Sequence, residues 1–332
     1  MNQLAPRDLA AHLAQGLLSF PVTAFRPDLS VDEDTYREHI AWQSSYDVAG
    51  LFAAGGTGEG FSLAPDETAR VVRMAVESAR PGVPVLASAG GAAWQAIRNA
   101  ADAQAAGAEG VLVLPPYLTA CDQDGLFEHV SAICSATDIG VIVYNRGTAI
   151  YAPETLARLA EAHENLIGFK DGIGDIEQLA RVHAMTGDRL FLLGGLPTAE
   201  TFALPLLQLG MSTYSSAMFN FVPEFALAFY ADVRAQDRAA VTEKLTRFVL
   251  PYIAIRDRVK GYGVSIIKAG LRAVGRDCGP VRPPLQDLSV QDQADLAALI
   301  EAAGLAPGAA AGPSASAASA AFASAPTSPA GR

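Results

Sequence analysis

Short apolar runs bounded by Gly, Pro or Asn recur along the chain, separated by longer stretches in which apolar positions return every three or four residues. The runs are Leu17 to Phe25, Val48 to Gly55, Pro84 to Ala89, Gly110 to Pro115, Gly140 to Asn145, Leu166 to Asp171, Leu190 to Gly195 and Met211 to Ala217, with successive starts 21 to 36 residues apart. Stretches such as Gly-Val-Ile-Val-Tyr are apolar without interruption, the pattern of parallel strands buried on both faces. Pro65 and Pro153 open two of the intervening stretches; proline at the first helical position sacrifices no hydrogen bond, and the acidic residue after each suits a helix N-terminus. Eight alternations of strand and helix predict an α/β fold, a (β/α)8 TIM barrel.

After the eighth run only helical periodicity remains, roughly Pro223 to Ala235, Arg238 to Arg258, Gly263 to Val274 and Ser289 to Ala303. The expected organisation is a barrel over 1–220 with a short N-terminal helix, a C-terminal helical appendage over 221–304 and a tail over 305–332. From Ala306 to Arg332, 24 of 27 residues are Ala, Ser, Pro or Gly, too little core-forming material to fold, so the tail is expected to be disordered.

Composition narrows the partners. With half of its 332 residues hydrophobic and 18% charged, the chain has the material for a large core. Its 24 basic and 35 acidic residues leave a net charge of −11, which repels phosphate backbones and anionic membrane surfaces; neither nucleic acid nor membrane is an expected partner. No apolar run is long enough to span a bilayer and the N-terminus does not read as a signal peptide, so a cytoplasmic location is expected. Cys121, Cys134 and Cys278 show no CxxC spacing and read as small buried hydrophobes, and the histidines form no HxH or HxxxH pair, so no metal and no cofactor is expected.

If the barrel is right, chemistry belongs at the carboxyl ends of the strands. Only four basic residues are lysines, Lys170, Lys244, Lys260 and Lys268, and Lys170 sits near the end of the buried run Leu-Ile-Gly-Phe-Lys-Asp-Gly. Desolvation there lowers an ammonium pKa toward values at which the free amine is a usable nucleophile, as Schiff base chemistry requires. The alternative is a lysine that snorkels out and pairs with Asp171 or Asp175. Tyr144, at the end of the fifth run, is a candidate proton carrier or a core tyrosine. Arg146 is either a fork for a carboxylate or a loop residue facing water. The glycine-rich string from Ala53 to Gly60 is neither GxGxxG nor a P-loop; its N–H groups, with the start of the following helix, suit a carboxylate. Gly195 at the end of the seventh run with Thr198 just beyond it, and Ser215 and Ser216 near the end of the eighth, suit a polyhydroxylated ligand, although turn residues look alike.

Taken together, GGTGE after the second run, Tyr-Asn after the fifth and Gly-Phe-Lys-Asp-Gly on the sixth resemble the class I, Schiff-base-forming dihydrodipicolinate synthase and N-acetylneuraminate lyase superfamily over about Leu17 to Ala303. Leu-Leu-Ser-Phe-Pro-Val-Thr, Val-Tyr-Asn-Arg, Thr-Tyr-Ser-Ser-Ala, Ala-Ile-Arg and Lys-Gly-Tyr are similar to one branch, the 5-dehydro-4-deoxyglucarate dehydratases. The resemblance implies that Lys170 forms the Schiff base, Tyr144 relays protons, and Gly56 with Thr57 binds the carboxylate beside the keto carbon. It implies dehydration and decarboxylation of a keto-deoxy sugar diacid to 2,5-dioxopentanoate, with Arg146, Thr198, Ser215 and Ser216 expected around the distal end. Tyr117 resembles a tyrosine that enters a neighbouring subunit's site, which implies a homo-oligomer, a dimer or a tetramer. Two departures stand out: Gly56 replaces the family's usual Thr or Ser, and Arg-Gly-Thr-Ala follows Tyr-Asn where a proline is usual. The alternatives are a Schiff-base aldolase or synthase, or a non-catalytic sugar-acid-binding barrel.

Overall fold

The computed structural model describes residues 3–116 and 120–306. Eight strands, β1 Leu18–Ser19, β2 Gly50–Phe52, β3 Val85–Gly91, β4 Gly110–Pro116, β5 Gly140–Asn145, β6 Leu166–Asp171, β7 Phe191–Gly194 and β8 Thr213–Tyr214, pair in parallel in chain order. A Leu18–Ser215 bridge and the Ser216 N–H bonded to Leu18 O bring the last strand back to the first, so the sheet is a nearly closed barrel, the expected (β/α)8 architecture. The bounds of β5 and β6 are those the apolar runs predict. β1 and β8 are far shorter than theirs, because the chain leaves the ladder early: the Val22 N–H donates to Asn220 Oδ1 and Thr23 Oγ1 to Gly58 O, bonds that build the mouth of the barrel.

Leu18, Phe52, Leu86, Leu112, Ile142, Ile167 and Leu193 fill the barrel, and Leu9 and Leu13 of the helix Pro6–Leu13 close its amino end. The outward residues of the strands join a second, larger cluster with the surrounding helices. That cluster continues through Phe248, Ile266 and Ile300, so the C-terminal helices share one core with the barrel. The expected single helix from Arg238 to Arg258 is divided into Arg238–Lys244, a π-helical turn Leu245–Val249, and Leu250–Arg256. Pro251 explains the division: it has no N–H to offer the preceding turn, and the widened turn takes up the mismatch.

One irregularity decides where the chemistry points. Val141 pairs with Leu166 but Ile142 pairs with Gly168, so Ile167 is an extra residue on β6. Val143 and Phe169 then both face outward, and Tyr144 and Lys170 lie side by side facing inward. Without the bulge, strict alternation would put Phe169 beside Tyr144 and turn Lys170 out of the barrel. Gly168 permits the packing: a Cβ there would stand 2.6 Å from the Phe191 ring.

Candidate active site

The carboxyl ends of the strands surround a cavity of about 390 Å3. The sequence-predicted Gly56, Thr57, Tyr144, Arg146, Lys170, Gly195, Thr198, Ser215 and Ser216 all lie on its wall. Tyr117 lies outside the described residues.

Lys170 is 6% exposed and forms no ion pair among the described residues. Neither acid that might have paired with it does so. Asp171 accepts from Asn145 Nδ2 and from the Ile173 and Gly174 N–H groups, and Asp175 caps the helix Ile176–Thr186. Instead Lys170 Nζ lies 3.7 Å from the centroid of the Phe20 ring and 4.5 Å from that of Tyr144. Burial pulls its pKa from the ordinary 10.5 to about 7, with the Arg146 charge pushing the same way. A substantial share of the side chain is then free amine near neutral pH.

The Tyr144 hydroxyl accepts from Arg146 Nη1 at 2.9 Å and donates to Gly195 O at 3.2 Å. Arg146 therefore spends one donor on orienting the phenol, which departs from an arginine devoted to the distal end of a ligand. Gly195 makes room for the lysine, since a Cβ on it would stand 2.4 Å from Lys170 Cε. Asn145 faces away from the cavity and ties β5 to β6 and to Gln178.

In the glycine-rich loop the Glu59 and Gly60 N–H groups bond back to Gly56 O and Gly55 O, which leaves Gly56 and Thr57 at the cavity wall. The helix that follows, Pro65–Ser78, does not reach that wall, against expectation. A 3-10 turn, Gly60–Ser62, intervenes, and Glu67 serves the Ala64 N–H and Arg282. The loop is held from behind by an ion pair of fully buried side chains, Lys268 Nζ to Glu59 Oε1 at 2.9 Å, and by the Arg282 N–H on Glu59 Oε2 at 2.8 Å.

Thr198 is buried with a φ of 52°, a conformation uncommon outside glycine. Its hydroxyl accepts from Arg256 Nη1, and Arg256 also pairs with Asp257. The Ser216 hydroxyl is directed to Glu200. Sequence reasoning left out Phe20, Tyr252 and Arg256, which complete the wall, and Glu200 behind it. Arg256 stood in the Ala-Ile-Arg string, and Lys268 in the apolar run Ser-Ile-Ile-Lys-Ala-Gly-Leu, a signal of burial that the chain displays openly.

A buried amine, a phenol beside it and a carboxylate-sized loop opposite are what the family comparison then accounts for. The model of the Dihydrodipicolinate synthetase family matches residues 13–303. The chain belongs to this family. Among the family's curated members, a protein of Corynebacterium glutamicum named probable 5-dehydro-4-deoxyglucarate dehydratase is 66% identical over 304 residues, 92% of this chain and 96% of its own. One of the same name from an Arthrobacter species is 69% identical over 300 residues, 90% and 99% of the two chains. The crystal structure of dihydrodipicolinate synthase from Bacillus clausii superposes with a TM-score of 0.81 at 26% identity, covering 88% of this chain and 98% of that one. A prophage protein of the same family from E. coli K12, in complex with pyruvate, gives 0.79 at 26% identity over 88% and 99%.

Proposed function

We propose that this protein is a 5-dehydro-4-deoxyglucarate dehydratase, a lyase that converts a keto-deoxy sugar diacid to 2,5-dioxopentanoate, CO2 and water through a Schiff base on Lys170. The observation that carries the mechanism is the buried Lys170 amine, with no acid paired to it among the described residues, beside Tyr144 on the wall of the cavity. The relatives' names support the substrate.

Lys170 Nζ attacks the keto carbon and, with loss of water, forms an iminium that acidifies the adjacent methylene. Tyr144, oriented by Arg146 and Gly195 O, relays the methylene proton. The enamine expels the hydroxyl on the next carbon, leaving an iminium conjugated to a new C=C bond. That conjugated system accepts the electron pair released when the distal carboxylate departs as CO2, and tautomerisation with hydrolysis frees the product and the lysine.

Gly56 and Thr57 hold the carboxylate beside the keto carbon, while Thr198, Ser215 and Ser216 meet the distal half of the substrate. Arg146 and Arg256 bring positive charge there, and both already spend donors on protein partners. A partly satisfied guanidinium attracts the distal carboxylate without clamping it, as decarboxylation requires. The remaining readings are a barrel over 1–220 with a helical appendage over 221–304, a homo-oligomer in which Tyr117 serves a neighbouring site, and a cytoplasmic location. All three cysteines are free; Cys134 and Cys278 are buried as expected, whereas Cys121 is exposed.

Incubation with 5-dehydro-4-deoxyglucarate, with and without borohydride, tests the proposal. The expected products are CO2 and 2,5-dioxopentanoate, and intact mass should record a reduced adduct that is lost in Lys170→Ala. Release of pyruvate would identify an aldolase instead, and the absence of both product and adduct would overturn the reading.

A further inference from the structure

Glu200 opens the helix Glu200–Leu207, directly behind the cavity, and is 2% exposed. Its Oε1 lies 2.5 Å from Ser216 Oγ, and its Oε2 is buried with no hydrogen-bond partner among the described residues. Facing it are Ser216 and Tyr214 at the end of the barrel, and Tyr252 and Arg256 of the helix Leu250–Arg256. An ionised carboxylate with one oxygen orphaned in the interior is costly. Burial pushes the Glu200 carboxyl up, against smaller opposing pulls from the Ser216 hydroxyl, its own N–H and Arg256, which favours the protonated acid. Ser216 lines the cavity while Glu200 does not, so Ser216 stands between the acid and the cavity, with its hydroxyl on the acid.

The proposed reaction has an unmet need. An enamine expels hydroxide poorly, and the step requires a proton on the leaving oxygen. Lys170 is tied up in the iminium, guanidinium groups do not release protons near neutrality, Gly56 has no hydroxyl, and Tyr144 serves the methylene proton. We infer that Glu200, acting through the Ser216 hydroxyl, delivers the proton with which the substrate's hydroxyl departs as water; the inference rests on the dehydratase reading. The Glu200 proton passes to Ser216 Oγ as the Ser216 proton passes to the leaving oxygen. The nitrogen lone pair restores the iminium, the enamine π pair becomes the new C=C bond, and the C–O bond breaks with its electrons on oxygen. Glu200, left as a carboxylate, regains its proton from water. Glu200 is thus a positioning and proton-supplying residue, and Ser216 the one that touches substrate.

Glu200→Gln separates this role from a structural one through two readouts. Turnover of 5-dehydro-4-deoxyglucarate needs the leaving group, whereas deuterium exchange into the methyl group of pyruvate needs the iminium and Tyr144 but no leaving hydroxyl. The expected result is a kcat lower by about 100-fold or more, loss of the fall in kcat with rising pH expected of the wild type once its acid ionises, and unchanged exchange. Ser216→Ala should behave alike and Ser216→Thr should restore activity. An equal loss in turnover and exchange, an unchanged kcat, or a persisting alkaline fall in Glu200→Gln would overturn the inference. If Glu200→Gln does not fold, the two serine variants decide by the same criteria. A wild type that makes no 2,5-dioxopentanoate would instead overturn the dehydratase reading itself.

Discussion

Two lysines are buried in this protein, and their surroundings give them opposite tasks. Lys268 is fully enclosed, faces Glu59 across 2.9 Å and donates to Pro280 O at 2.6 Å, contacts that hold the glycine-rich loop against the C-terminal helices. Lys170 is almost as enclosed but meets aromatic faces in place of an acid, and its pKa falls to about 7. Burial depresses both ammonium groups, yet only at Lys268 does a carboxylate push back. Depth in the core therefore does not distinguish a nucleophile from a strut; the presence of a counter-charge does.

The largest expected effect comes from removing the unpaired lysine. Lys170→Met should lower turnover by about 10⁴-fold or more, the order seen when an enzyme loses its nucleophile, and should abolish the borohydride adduct. Lys268→Met should leave the adduct in place. If Lys268 carried the adduct instead, the comparison would be reversed. Next in size is Gly195→Ala, whose Cβ would stand 2.4 Å from Lys170 Cε and 2.9 Å from Asp171 O. Displacing the amine by even an ångström should reduce kcat/KM by about 10²-fold, measured with protein whose melting curve shows it folded.

Stability should move in opposite directions at the two sites. Lys268→Met leaves the Glu59 carboxylate buried without its partner and should cost about 3–5 kcal/mol in denaturant unfolding. Lys170→Met removes an ammonium that the fold desolvates without compensation and should stabilise by about 1 kcal/mol or more. The pH dependence has a definite sign. Because the folded pKa of Lys170 lies below the unfolded value, its penalty is full below about pH 7 and fades as pH rises toward the unfolded value. The advantage of Lys170→Met should therefore shrink on going from pH 7 to pH 10. In the wild type, kcat/KM should fall about tenfold for each pH unit below 7, following the free amine. A flat profile from pH 5 to pH 8 would mean that Lys170 is not the group that titrates.

The strand runs, the barrel and the cavity wall were legible because they depend on local patterning: an apolar run ending in Lys-Asp-Gly marks a strand end wherever the chain later goes. The direction in which Lys170 points was less so. Simple alternation from Ile167 sets Lys170 outward, and only the pairing of Gly168 with Ile142 reveals the bulge that re-phases the strand. The Glu59–Lys268 pair, the Arg256 contact with Thr198 and the seat of Glu200 behind Ser216 join residues from distant elements, and no spacing along the chain encodes them. Lys268 had a local signal, a charge inside an apolar helical stripe, but not one that names its partner.

The smallest expected effect is at Gly56, on the loop that the Lys268 pair secures. Unlike Gly195, it is not required by packing: a Cβ at Gly56 would meet nothing within 4 Å. The missing side chain therefore leaves space at the cavity wall where the family's usual Thr or Ser would project. Gly56→Ser should change unfolding free energy by no more than about 0.5 kcal/mol, and Lys170 should still trap pyruvate with borohydride, because a short keto acid does not need that space. The KM for the longer diacid should rise by about tenfold, the scale on which a pocket discriminates against one added group. An equal rise for both ligands would mean that the serine disturbs the loop itself, and the contrast between a glycine that clears the nucleophile and one that clears the substrate would be lost.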